Sequence, residues 1–351
     1  MPSCCKALGA TFIVLAALAH AAGSQANPCY EPGPPVPYIG NPHISRSFIQ
    51  TADTADYMRL VNVLGTAPPL GPDTGGTYSQ ILVGYDARNN TVQVLTAYHN
   101  LTHFLEKEIG SDPISLSNVR EYFLKRTGTM HRAYLSRELV PYPGSYFCKL
   151  NAHDEGLRTV RMVRIDTPAI NDNTPYPDHP VDLALVTYEL EPDEMLNVSE
   201  LYRIDEHFAI NGQFGSADLP ALVDQRVDIE LTGWGQPFVG DLQMLTPNPH
   251  RTQARYLGIE QPDKYAYRAS ILLYQEGPVL SLSGFSGGGV FLRRPKGKHL
   301  LLGIDSGQRR YPSRTIFFTN LYNSPDNNLL DWLREHMMHT PGSWHMRIEA
   351  P

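Results

Sequence analysis

The chain has 351 residues, of which 42% are hydrophobic and 19% charged, and a formal net charge of −7. That length exceeds one minimal domain and suits two modest domains or two packed barrels, with enough apolar material for a core. The negative balance, with no Lys/Arg run longer than two, argues against a nucleic-acid groove.

The chain opens on a secretory signal pattern. Lys6 supplies the positive end, Leu8 to Ala19 a short apolar run, and Ala19-His20-Ala21 or Ser24-Gln25-Ala26 a cleavage site. The run falls short of the ~20 residues a membrane span needs, so a cleaved segment over 1–26, export to the extracellular space and no membrane anchor are expected. Cys4 and Cys5 leave with it. Cys29 and Cys148 remain and read as one disulfide in an oxidising compartment, or as two free thiols. No C-x-x-C or H-E-x-x-H spacing occurs, so no metal or other cofactor is expected. Asn89, Asn100 and Asn197 each head an N-x-S/T glycosylation pattern.

Residues 27–56 read as a Pro-rich, extended leader. Ser79 to Tyr85, a turn over Asp86 to Asn90, and Thr91 to Ala97 form a hairpin pattern. Residues 101–135 are more polar and helical, closed by Gly128. Strands are predicted at Val160–Ile165 and Val181–Tyr188, then a mixed connection over 190–225. Strands resume at Val227–Gly233, Ala269–Tyr274, Gly288–Leu292 and Leu300–Ile304. Leu329, Leu330 and Leu333 stand at helical spacing within Asn327–His336. The 28 Gly and 29 Pro are spread along the chain, which suits many turns between short strands. The expectation is an all-β chain with a C-terminal α-helix.

Three separated segments carry chemistry. Leu95-Thr96-Ala97-Tyr98-His99 is a strand ending on a histidine. Val181-Asp182-Leu183-Ala184-Leu185-Val186 puts a carboxylate at the mouth of an apolar strand, and Gly284-Phe285-Ser286-Gly287-Gly288 puts a serine in a glycine-rich turn. A serine hydroxyl is a poor nucleophile near neutral pH. It needs an imidazole to take its proton and a buried carboxylate to orient that imidazole. Glycines beside the serine let backbone N–H groups meet a developing oxyanion, worth ~3 kcal/mol per donor.

With Gly233-Trp234-Gly235 and Gly303-Ile304-Asp305-Ser306-Gly307, these segments resemble, in order, the T-A-A-H-C, D-I-A-L, G-W-G, G-D-S-G-G-P and G-I-x-S-W-G motifs of the chymotrypsin/trypsin-like serine peptidases. Asp331-Trp332-Leu333 stands where that family has its terminal helix. The resemblance covers roughly residues 57–337. It implies two six-stranded Greek-key β-barrels, over 57–200 with an insertion around 103–160 and over 201–340 with the terminal helix, followed by a tail over 341–351. It also implies His99 as general base, Asp182 as its orienter, Ser286 as nucleophile, and the Gly284 and Ser286 amides as oxyanion hole. Leu280, Ser281, Ser306, Gly307 and Gln308 would line the substrate pocket of a monomer acting on polypeptides.

The chain departs from the family pattern at Asn100, where the family has Cys, and at Phe285, where it has Asp. Leu280 is not acidic, so a preference for Lys or Arg is not expected. Phe285 has no charge to meet a freed α-amino group, so activation by that route is not expected either. Two other readings fit parts of the sequence. One is a non-catalytic homologue that binds a partner. The other is an esterase, because Gly284 to Gly288 also satisfies G-x-S-x-G, a motif that needs a helix after the serine.

Overall fold

The computed structural model describes residues 61–66, 77–103, 115–121, 131–134, 157–168, 181–190, 198–215, 228–233, 250–259, 268–273, 284–294, 296–308, 315–324, 327–337 and 339–349, with short pieces at 50–51, 238–239 and 242–243 and a few isolated positions. The 1–26 segment, most of the 27–56 leader, Cys29, Cys148, Asn197, Trp234, Leu280 and Ser281 lie outside the described residues, as does the side chain of Gln308.

The described chain is mostly β. One sheet holds β1 (Asn62–Thr66), β2 (Thr77–Asp86), β3 (Thr91–Thr96), β4 (His131–Tyr134), β5 (Leu157–Asp166) and β6 (Ala184–Leu190). Its antiparallel neighbours run β2-β1-β4-β5-β6-β3, and β3 pairs back onto β2. The hairpin of β2 and β3 is set locally. Asp86 accepts from the Arg88 amide at 2.9 Å and the Asn89 side chain at 2.8 Å, and Asn90 takes the left-handed backbone at φ +50°.

The second sheet begins with β7 (Phe208–Asn211), β8 (Asp228–Gly233), β9 (His250–Ile259) and β10 (Arg268–Leu273). It continues with β11 (Gly289–Arg293), β12 (His299–Gln308) and β13 (Thr315–Asn320). Strands β8-β9-β10-β13-β12-β11 close antiparallel onto β8 as a six-stranded barrel, and β7 adds to β12 in parallel. Numbered from β1 in the first sheet and β8 in the second, both follow the order 1-2-3-6-5-4. The apolar core falls into two clusters: one holds Ile81, Val94, Leu95, Leu185 and Tyr188 of the first sheet and reaches Phe208, Phe291 and Leu301 of the second, and the other holds Ile229, Leu231, Ile271, Val290, Leu302 and Phe318.

Among the described residues, helices α1 (Leu116–Arg120), α2 (Val198–His207) and α3 (Leu329–His336) accompany the strands, beside a short helical segment over 99–103. Helix α1 starts at a capping box in which the Ser115 hydroxyl accepts from the Asn118 amide. Helix α3 buries Leu329, Leu330 and Leu333, as their spacing predicts.

Several elements differ from the sequence expectation. Within 101–135 the polar stretch is helical over Leu116–Arg120, but His131–Tyr134 is a strand between β1 and β5. Pairing on both sides overrides its local pattern. Strands β1, β7, β9 and β13 were not expected, and Gln50–Thr51, inside the leader, pairs with His250 and Arg251 of β9. The tail is structured as well. Its strand β14 (Trp344–His345) pairs with β2, and β15 (Ile348–Glu349) pairs in parallel with β7. Met346 between them is fully buried, and Glu349 receives two bonds from Arg294 at 3.0 and 2.9 Å. One short segment therefore joins both sheets.

Candidate active site

His99 stands three residues past the end of β3, where the chain turns into a short helical segment over 99–103. Tyr98 beside it is fully buried, which anchors the turn in the first core. Asp182 lies two residues before β6, and β6 pairs with β3 along its length. This register brings the two chain ends side by side although 83 positions separate them. Thr96 faces Ala184, so the strand ends that carry His99 and Asp182 are adjacent.

The contact is two-point. Asp182 Oδ2 lies 2.7 Å from His99 Nδ1, and Oδ1 accepts from the His99 backbone amide at 2.8 Å. Burial pushes the Asp182 carboxyl up. The charge of His99, its two hydrogen bonds and the nearby Ser306 hydroxyl outweigh that and hold it below the usual carboxylate range. An ionised carboxylate only accepts hydrogen bonds, so Nδ1 carries the proton and a neutral His99 keeps its lone pair on Nε2. The side chains retain 22% and 17% exposure, so the pair is reachable from solvent. From the second sheet, the Thr319 hydroxyl donates to the Asp182 carbonyl at 3.0 Å, and Ser306 Oγ lies 3.1 Å from Thr319 Oγ1. Ser306 thus belongs to the support of Asp182, beside its expected place in a pocket wall.

Ser286 sits on the turn entering β11. Gly284 and Gly287 take φ of +87° and +90°, which only glycine adopts without strain. The turn is tied to its own barrel by the Gly287 amide donating to Asp305 O at 2.8 Å and the Asp305 amide donating to Gly288 O at 2.8 Å. Phe285 O accepts from the Gly288 amide at 2.7 Å. In a trans peptide the N–H opposes the C=O, so this bond turns the Ser286 N–H outward from the turn. Among the described residues, neither the Gly284 nor the Ser286 amide donates to a protein acceptor. Phe285 is fully buried in the second apolar cluster.

The turn is also fastened to the first sheet. Ser286 O accepts from the Ser79 amide at 3.0 Å and from Asn100 Nδ2 at 2.9 Å. Ser79 Oγ donates to Gly284 O at 2.8 Å. Asn100 Nδ2 also donates to Thr96 Oγ1 at 3.1 Å, and Thr96 Oγ1 donates to Ser79 O at 2.9 Å. Asn100 directly follows His99, so the histidine's own turn holds the serine's turn through a polar bridge. The fit is close: a Cβ on Gly287 would come within 2.0 Å of Ser79 O and 2.3 Å of Thr96 Oγ1.

No family model matches the chain, and no curated protein matches it. The functional reading rests on these residues and their geometry.

The structure thus brings His99 onto Asp182 and the backbone of Ser286 onto Asn100. Gly284 stands in the same turn, and Gly307 continues β12 with φ +135°. Sequence reading missed Ser79 and Thr319, which carry no motif. It treated Asn100 as a departure and a glycosylation acceptor, but Asn100 is 7% exposed and its amide nitrogen is engaged, so in the folded chain it is a structural bridge. Asn89 is exposed. The G-x-S-x-G elbow falls, because strand β11, not a helix, follows Ser286.

Proposed function

We propose that this chain is a secreted serine endopeptidase of the chymotrypsin-like class, built of two Greek-key barrels and working without a cofactor. The observation that carries this reading is the two-point grip of Asp182 on His99, with Asn100 of the same turn bound to the backbone of Ser286. The shared 1-2-3-6-5-4 strand order of the two sheets supports the double-barrel architecture.

In the proposed reaction, His99 Nε2 takes the proton of Ser286 Oγ as that oxygen adds to the carbonyl carbon of the scissile peptide. Asp182 stays ionised and stabilises the imidazolium. The oxyanion is met by the Gly284 and Ser286 amides, held open by the positive φ of Gly284 and the Phe285–Gly288 bond. Collapse expels the amine, which receives the proton from His99, and leaves an acyl group on Ser286. Water, deprotonated by His99, then releases the acid. Burial of Phe285 replaces an ion pair as the anchor of the turn, contributing about 2 kcal/mol. The pocket is assigned to Leu280, Ser281, Ser306, Gly307 and Gln308.

The test is covalent labelling with a fluorophosphonate probe. Wild type should label and Ser286→Ala should not. A folded wild-type protein that resists the probe would leave the non-catalytic binding homologue as the better reading.

A further inference from the structure

Asp305 is a buried carboxylate that the proposed reaction does not use. It occupies the middle of β12, is 2% exposed, and is locked by its main chain to the serine turn on both sides, through Gly287 and Gly288. The next residue, Ser306, reaches Thr319 and the Asp182 carboxylate. Asp305 therefore lies between the turn of Ser286 and the partner of His99. Its side chain receives one described hydrogen bond, from the Gly307 amide to Oδ1 at 2.9 Å. That is a thin shell for a buried carboxylate, which ordinarily draws several donors or a cation.

The charged groups that act on it are few. His99, past the end of β3, attracts its ionised form, and Asp182, ahead of β6, opposes it. The turn over 284–288 and strand β13 contribute no titratable side chain, and Arg293, at the far end of β11, is exposed. Among the described residues, then, the positive charge within its reach is the imidazolium of His99. Burial, only partly offset by the Gly307 amide and His99, pushes the Asp305 carboxyl up to about 7. It therefore changes charge near neutral pH.

Resting on the peptidase reading, we propose that Asp305 is a second acid of the site, a positioning residue that, once ionised, holds the His99 imidazolium together with Asp182 and so sets the acid limb of activity. The two groups titrate as a coupled pair, and each proton lost by Asp305 makes the His99 proton harder to remove. The wild-type limb is accordingly higher in pH and broader than a single-proton curve.

The experiment compares the rate of fluorophosphonate labelling against pH for wild type and Asp305→Asn. Asparagine keeps the shape and the acceptor oxygen but cannot ionise. The variant's limb should lie lower by roughly half a pH unit or more and narrow to one proton. Superimposed limbs, even with a reduced plateau, would mean a purely structural role and overturn the proposal. Should the variant not fold, carboxyl-carbon NMR of wild type labelled at Asp decides. The Asp305 resonance should move between about pH 6 and 8, and a resonance flat from pH 5 to 9 overturns the proposal. Failure of this inference is distinct from failure of the peptidase reading. Wild type that never labels sinks both, whereas wild type that labels with a limb unmoved in the variant sinks only the role of Asp305.

Discussion

Gly287→Ala probes the junction between the serine turn and the first sheet. The position has φ +90°, a backbone that costs an alanine about 1–2 kcal/mol. The new methyl would also lie 2.0 Å from Ser79 O, 2.3 Å from Thr96 Oγ1 and 2.8 Å from Asn100 Nδ2, against ordinary contacts near ~3.5 Å. Relief requires the sheets to part by more than an ångström there, breaking the bonds from Ser79 and Asn100 to Ser286 O and loosening that from Thr96 to Ser79 O. At about 1 kcal/mol net for each bond, the total loss is roughly 4 kcal/mol. Gly342→Ala is the control, because it shares the conformation at φ +89° yet has nothing within 4 Å of its Cβ. It should lose only the conformational part. Urea denaturation with an unchanged slope measures both. Equal losses in the two variants would refute the claim that this junction is close-packed. On the proposed function, probe labelling should also fall in Gly287→Ala, by about 10²-fold or more, since the Gly284 and Ser286 amides move with the turn.

Asp182→Asn removes the anionic acceptor at His99 Nδ1 and presents an amide able to donate there. Labelling should drop by about three orders of magnitude or more with little change in thermal stability, and a drop under tenfold would contradict the assigned tautomer. Asp305, raised from 3.8 to about 7 in the folded chain, binds its proton more tightly there than when unfolded. Its contribution to stability is therefore full below about pH 4, declines as pH rises, and is gone above about 7, a swing of roughly 4 kcal/mol. Asp305→Asn should lack that decline, so the stability difference between the two proteins must change with pH across this window in denaturant titrations. Glu349→Gln weakens the half-exposed pair with Arg294 and should cost about 1 kcal/mol, while a chain ending at residue 340 loses both tail strands and should melt several degrees lower. Peptide hydrolysis by a chain begun at Asn27 with one added residue should match that of a chain trimmed within 27–56. Activity appearing only after trimming would contradict the role of buried Phe285.

The sequence by itself determined the local features. The hairpin of β2 and β3 is written in its alternation and in the Asp86-to-Asn90 turn, and helix α3 in the spacing of its leucines, because both depend on neighbours a few positions away. The site's residue types were legible too, since a serine among glycines and a histidine closing a strand are short patterns. The tertiary structure decided what depends on distant partners. Strand His131–Tyr134 exists because β1 and β5 satisfy its backbone, and the tail is ordered because β2 and β7 offer it edges. Asn100 looked like a missing cysteine and a glycan acceptor. Only when the serine turn of the second sheet is set against β2 does its amide become the link between the His99 and Ser286 segments. Asp305 looked like one variable position in a motif. Its weight comes from burial against the serine turn, and burial is a property of the packed chain that residue order does not display.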